Sequence, residues 1–331
     1  MFISSFFKRL WWNLPLSRQN KEWVKTDVFS AFPSLFKKNR VYRGWKDARI
    51  FSDLTEKRLN QPNPFQMNGS GYRSEPVSKE PITTLAIVIH AFYFDIFLEI
   101  MDYLIHNSES KYRIYITSPE TLSEKIARFF NDIGCEYSFL AVENRGRDIL
   151  PFLEVLPQVF DDGYQAVLKI HTKKTDHTKS GDLWRKDLYK KLLGENAMQR
   201  ALEIFNGDGA VGMIGAPGHT VPLNLYYGAN AKTVAFMSEA MGVTPSQLSN
   251  LNFSAGSMFY VRKQALLPLL NLGLKSKDFE DESGQKDGTL SQAVERAFAI
   301  SAVASNMKLV DTCYHPQKQN QIITKDHPFT Y

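Results

Sequence analysis

Four short segments hold most of the side chains able to do polar chemistry. The first is Glu143-Asn144-Arg145-Gly146-Arg147-Asp148, which follows a strand-like run and precedes a helical one. Gly146 permits a tight turn or a close backbone approach to a ligand. Arg145 and Arg147 are planar, permanently charged forks suited to phosphate, and the helix start behind them presents N–H groups without helical partners. Asp148 has three readings: cap of that helix, orienter of an arginine, or partner of a ribose hydroxyl. The bland counterpart is a capped turn with two solvated arginines.

The second segment, Lys169-Ile170-His171-Thr172-Lys173-Lys174, ends a strand. Its hydrogen-bond donors meet where a parallel sheet delivers its ligands, and its cations could neutralise a diphosphate leaving group, a task often given to a divalent metal. Asp176 and His177 follow, a weak metal signal. The third, Phe253 to Arg262, puts Gly256, Ser257 and Met258 before an aromatic strand with Tyr260. Small residues leave room for a sugar or base, aromatic faces stack on sugar rings, and Arg262 would reach phosphate or hold an acidic neighbour. A β-turn entering a core strand is the alternative. In the fourth, Phe279 to Leu290, a carboxylate on a glycine-containing loop could take a proton from a hydroxyl nucleophile. Asp287 is read as that base or as a plain helix cap, and Glu282 is the second candidate; Glu280 to Glu282 also read as a solvated acidic turn.

The elements that would position these groups alternate. Strands are expected at Leu85–His90, Tyr112–Thr117, Tyr137–Val142, Ala166–Ile170, Val211–Gly215, Phe259–Arg262 and Lys308–Val310. Helices are expected at Phe94–His106, about Thr121–Asp132, Ile149–Phe160, Leu183–Leu193, Ala197–Phe205, Gln264–Leu270 and Thr289–Ala304. Short strands separated by helices imply an α/β fold with a mostly parallel sheet covered on both faces, which gathers ligands at the carboxyl ends of its strands.

The chain divides near residue 80, after a Pro- and Gly-rich stretch from Gln61 to Glu80. Residues 1–80 carry 15 Lys/Arg against 7 Asp/Glu, whereas the remainder carries 25 against 28. The basic excess therefore belongs to an N-terminal, helical extension in which Trp11, Trp12, Trp23, Phe29, Phe32, Phe36 and Trp45 lie among Lys21, Lys25, Lys37, Lys38 and Arg40. That mixture suits an anionic membrane surface through residues 1–50, or packing onto the main domain, and the two can coexist. The net acidic remainder argues against nucleic acid as a partner. No run of 18 apolar residues predicts a spanning helix, and Lys8 and Arg9 interrupt the apolar start, arguing against a secretory signal. Two cysteines, Cys135 and Cys313, lack metal or disulfide spacing and fit a reducing compartment.

The four segments in this order resemble the rhamnan-synthesis F family of bacterial cell-wall and O-antigen polysaccharide assembly. The matching stretches are Asn144–Leu153, Lys169–Lys174, Ala255–Arg262 and Glu282–Arg296, within about Thr84 to Val310. Tyr260 stands where the family usually has Trp, and Gln292 where it usually has His. The resemblance implies a GT-A-like, Rossmann-like glycosyltransferase domain over residues 81–331, working peripherally at the cytoplasmic face of the membrane. It would move a sugar, rhamnose by the family name, from a nucleotide-sugar donor to a lipid-linked or polysaccharide acceptor. Asn144, Arg145, Gly146, Arg147, Asp148, His171, Thr172, Lys173 and Lys174 would then form the donor-phosphate pocket. Gly256, Ser257, Met258, Tyr260 and Arg262 would form the acceptor or sugar pocket, with Asp287 or Glu282 as base. The His171-Thr172-Lys173 segment falls where related transferases carry a metal-binding D-x-D, which leaves a metal-free mechanism, the favoured reading, or a divalent metal held differently. Two other classes compete: a non-catalytic carbohydrate-binding or assembly protein, and a phosphoryl transferase, which the missing P-loop disfavours.

Overall fold

The computed structural model describes residues 28–29, 31–36, 42, 63–67, 80–106, 111–172, 174, 179–284 and 287–317. Among them a seven-stranded sheet runs in the order β3-β2-β1-β4-β8-β5-β9. The strands are β1 Leu85–His90, β2 Tyr112–Ser118, β3 Tyr137–Ala141, β4 Ala166–His171, β5 Val211–Gly215, β8 Phe259–Arg262 and β9 Lys308–Asp311, with β6 Thr220–Pro222 and β7 Asn252–Ser254 forming a separate antiparallel pair. The helices of the main domain are α1 Phe94–His106, α2 Ser123–Ile133, α3 Ile149–Asp161, α4 Lys179–Leu193, α5 Ala197–Gly207, α6 Ala231–Ala240, α7 Pro245–Leu248, α8 Lys263–Leu270 and α9 Leu290–Ala304.

Central strands explain their own composition. β1 (LAIVIH) and β4 (AVLKIH) are buried along their whole length, as strands covered on both faces must be, so they read as continuous apolar runs. Successive side chains point to opposite faces. Ala86, Val88 and Val167 join the core beneath α3, α6, α8 and α9. Leu85, Ile87, Ile89, Leu168 and Ile170 join the core beneath α1, α2, α4 and α5. On α1 the buried set Ile96, Phe97, Ile100, Met101 and Leu104 is the one-sided stripe that such packing requires.

The expected mostly parallel α/β arrangement is present, with one exception. β8 is antiparallel to both neighbours, β4 and β5, whereas β1, β2, β3 and β4 are parallel to one another, as are β5 and β9. The chain leaves β1 toward β2 and β3, then returns to place β4 on the other side of β1. The β1–β4 boundary is therefore the topological switch point, where the connecting segments diverge and leave a crevice beyond the carboxyl ends of the strands.

Of the N-terminal extension, Phe29 and Tyr42 are buried and their rings meet edge to face at 5.3 Å, with Phe36 5.0 Å from Phe29, while Phe32 is exposed. Trp11, Trp12, Trp23, Trp45 and the basic residues among them lie outside the described residues. No described helix is long and apolar enough to cross a membrane.

Candidate functional site

His90 ends β1 and His171 ends β4, and the two are register partners across the switch point. Strand alternation puts both, together with Lys169, on the side of the sheet covered by α3 and α9. Thr117 on β2 lies on the same side, its hydroxyl 3.1 Å from His90 Nδ1. Burial pulls the His90 imidazole down to about 4, outweighing the upward pull of Asp148, so this ring is neutral at neutral pH.

Lys169 is the centre of the arrangement. It is 1% exposed, and its ammonium donates to Asp148 Oδ2 (2.5 Å), the Ser257 carbonyl (2.8 Å) and Ser257 Oγ (3.0 Å). The rings of Phe152, Phe259 and Phe298 surround it, their centroids 5.4, 5.9 and 6.0 Å from Nζ. One buried cation thus joins three of the four segments singled out in the sequence. Burial lowers the Lys169 ammonium from its ordinary value, while Asp148 and Glu295 oppose that shift. Burial alone would raise the Asp148 carboxyl. His171, whose Nδ1 is 3.4 Å away, and Lys169 instead hold it well below the usual carboxylate range. Asp148 occupies the N-cap position of α3 but makes no side-chain cap. It is therefore neither the cap of that helix nor the orienter of an arginine, since its carboxylate is engaged with Lys169 and His171.

Both turns that meet at this cation have left-handed backbone. In one, Gly146 (φ 67°) precedes Arg147 (φ 55°); in the other, Gly256 (φ 94°) precedes Ser257 (φ 57°). A side chain at position 146 would bring its Cβ within 2.5 Å of Leu150 Cβ, so glycine is required there. Arg147 and Ser257 carry side chains in a region disfavoured for them, the kind of strain that surrounding contacts must hold. Those contacts are Asp148 to Lys169 on one side, and Gly256 N–H to Glu295 Oε1 (2.9 Å) on the other.

The arginines face the acidic loop of the fourth segment. Arg145 donates to the Phe279 carbonyl (2.7 Å) and pairs with Asp281, and the two backbones form a β-bridge. Arg147, 36% exposed, lies 3.6 Å from Glu282, which is 21% exposed. Glu280 accepts the Leu290 N–H at the start of α9 (3.0 Å). The acidic stretch is therefore paired rather than merely solvated. Thr289 and Gln292 form the capping box of α9, so Asp287 is not its cap. Asp287 instead accepts the Ala229 N–H and the Asn230 side-chain amide, both at 2.8 Å.

At the end of β4, Thr172 Oγ accepts the N–H groups of Phe92 (2.8 Å) and Tyr93 (3.1 Å), stitching the β1–α1 turn across the switch point. Lys174 is exposed and turns to Asp95 (3.8 Å) and the Tyr93 ring (5.3 Å). Asn144 is exposed in the arginine turn. Lys173, Asp176 and His177 lie outside the described residues.

The expected sugar pocket is not assembled as a surface. Met258 and Tyr260 are fully buried, and the Tyr260 hydroxyl donates to the Leu192 carbonyl. Arg262 is a correction of position. Because β8 runs antiparallel, Arg262 pairs with Ala166 at the start of β4, at the opposite edge of the sheet from His171. Its guanidinium donates to the Val211 carbonyl (2.8 Å) and to that of Phe205. Only Gly256 and Ser257 of that set reach the polar cluster, from below it. Sequence reading names Lys169 within its segment without assigning it a role and does not single out His90 or Glu295 as site residues, yet a lone lysine inside a buried strand is itself a signal, since such a charge needs a partner. Among the described residues no three His, Cys, Asp or Glu side chains converge on a metal-binding geometry.

The chain is thus a doubly wound, mostly parallel α/β domain with a polar cluster at its switch point. The chain belongs to the family of rhamnan synthesis protein F, whose model matches residues 49–307. It is similar to the uncharacterized protein WxcX of Xanthomonas campestris pv. campestris, from strain B100 and from strain ATCC 33913, at 34% identity over 223 residues in each. That match covers 67% of this chain and 32% of WxcX, so the chain spans about a third of the length of the curated relatives it matches. The description of the family associates the chain with bacterial polysaccharide synthesis.

Proposed function

We propose that this domain is a GT-A-like glycosyltransferase that moves a sugar, rhamnose by the family's description, from a nucleotide-activated donor to a growing cell-surface polysaccharide. One observation carries the reading: the buried Lys169–Asp148 pair holds the arginine turn and the glycine–serine turn at the carboxyl edge of the sheet, beside His171. Arg147 is the phosphate contact best supported by its setting. It is partly exposed on a strained turn, and its pairing with Glu282 is loose enough to exchange. Lys174, and Lys173 beside it in sequence, would add charge from the other side of the switch point. Arg145, bound to the backbone of the acidic loop, positions that loop.

Donor binding would then couple to chemistry. The diphosphate takes over Arg147 and releases Glu282, which removes the proton of the acceptor hydroxyl as that oxygen bonds the anomeric carbon and the nucleoside diphosphate departs with the bonding electrons. Asp287, the other carboxylate candidate, holds the Gly228–Asn230 turn. The cations are proposed to meet the charge of the leaving group without a divalent metal, at the cytoplasmic face of a membrane reached through residues 1–50.

The test is incubation of the purified chain with a panel of nucleotide sugars and a lipid-linked acceptor, with and without chelator, followed by product mass analysis. A one-sugar mass increase is expected under both conditions. Glu282→Gln should abolish turnover while binding nucleoside diphosphate more tightly, because the competing anion is gone. Loss of donor affinity in that variant would contradict the coupling. The pairing of Arg145, Arg147 and Lys174 with carboxylates also favours a second reading, a non-catalytic carbohydrate-binding or assembly protein. Glycan binding with no nucleotide binding would establish that one instead.

A further inference from the structure

Burial of Met258, Tyr260 and Arg262 leaves the acceptor without a surface, and a cleft on the other side of the acidic loop supplies one. It has a volume of about 660 Å³, within the range of roughly 300–1,000 Å³ typical of ligand sites, and is walled by Phe65, Gln66, Thr233, Lys277, Asp278 and Glu280. We infer that this cleft is the binding site for a neutral oligosaccharide acceptor. The inference rests on the transferase reading for the word acceptor, though not for the saccharide chemistry.

Three observations carry it. The wall is chemically mixed. Phe65 offers an apolar face to the C–H side of a sugar ring, while an amide, a hydroxyl, an ammonium and two carboxylates offer both donors and acceptors to ring hydroxyls. Cations and carboxylates are balanced in number there, with Lys275 and Lys277 against Asp278 and Glu280, so net charge does not select a phosphate or another strong anion.

The wall formed by Phe65 and Gln66 is a built feature. Asn63 donates its side-chain amide to the Phe236 carbonyl (2.8 Å) and to Glu239 (3.0 Å), and its Oδ1 accepts the Phe65 N–H (2.9 Å). This short stretch of the N-terminal segment is thereby pinned to α6, with Phe65 packed against the core.

The cleft also adjoins the proposed chemistry. Glu280 lines it, Asp281 pairs with Arg145, and Glu282 faces Arg147. Glu280 and Glu282 are two residues apart, a chain span of at most about 7 Å. A single loop thus separates a charged donor edge from an electrically balanced acceptor cleft.

The experiment is calorimetric titration of the full chain with a synthetic rhamnose tetrasaccharide, compared with Gln66→Ala, Lys277→Ala, Phe65→Ala and Arg147→Ala variants. Gln66 and Lys277 are exposed, so those two substitutions report on the cleft even where Phe65→Ala destabilises the fold. Each is expected to weaken saccharide binding roughly three- to tenfold, with nucleoside diphosphate binding unchanged. Arg147→Ala should show the converse. Saccharide binding that falls in the cleft variants supports the site even if the chain transfers no sugar, so the cleft and the transferase reading fail separately. Failure of wild-type protein to bind the tetrasaccharide, or undiminished binding by both exposed variants, overturns the inference.

Discussion

Lys169 is the one lysine in the strand A-V-L-K-I-H, and its burial has a consequence that can be measured. Removing one member of a buried, hydrogen-bonded ion pair leaves the other charged group without compensation, at a cost of about 3–5 kcal/mol. Lys169→Met should therefore destabilise the fold by that amount in urea unfolding, and Asp148→Leu by a comparable amount. The double variant Lys169→Met with Asp148→Leu should recover part of the loss, because no lone charge remains; strict additivity of the two would contradict the pairing. His90 makes a separate prediction. Its folded value of about 4 lies below the ordinary 6.5, so between those values the unfolded chain holds more protons and stability rises with pH. The contribution is fully present above 6.5 and is lost as pH falls toward 4, an effect of about 3 kcal/mol. His90→Asn should flatten the stability–pH curve in that window. The contribution of Asp148, also depressed when folded, is lost only below its ordinary 3.8, so the two are separable.

At the scale of elements, the strands and most helices are legible in the sequence because central strands are continuous apolar runs and the helices between them carry one-sided stripes. β1, β5 and β8 are found at their expected bounds, and β4 and β9 extend one residue further, to His171 and Asp311. Direction is another matter. Side-chain alternation is the same whichever way a strand runs, so nothing in F-Y-V-R shows that β8 is antiparallel, and Arg262 lies at the edge of the sheet opposite to that of the expected pocket. Between Thr220 and Leu248, β6 and the single-turn elements are too short to show a period in the sequence. The arginine turn is legible as a turn because Gly146 has one use there, but its partner Asp281, 136 residues further along the chain, is not. The α9 capping box is a local device with its own test. Thr289→Ala removes the hydroxyl at the N-cap and should cost about 1 kcal/mol of stability, read as a lower thermal midpoint, whereas Asp287→Ala should loosen the Gly228–Asn230 turn and leave the helix start intact. Equal effects on the helix from both would contradict the assignment of the cap.

At the scale of the molecule, the sheet has two unlike edges. Its amino edge holds Arg262 locked to backbone carbonyls, a structural use of charge. Its carboxyl edge gathers His90, His171, Asp148, the arginine turn and the glycine–serine turn at the switch point, where a doubly wound sheet opens toward a ligand. The proposed function depends on this second edge receiving a nucleoside diphosphate through Arg147. Calorimetric titration of the full chain with UDP, dTDP and GDP, repeated on Arg147→Ala, addresses it directly. At least one of the three is expected to bind, and loss of a charge-assisted contact is expected to weaken it roughly ten- to a hundredfold. Binding of none of them, or equal affinity in the variant, would contradict it.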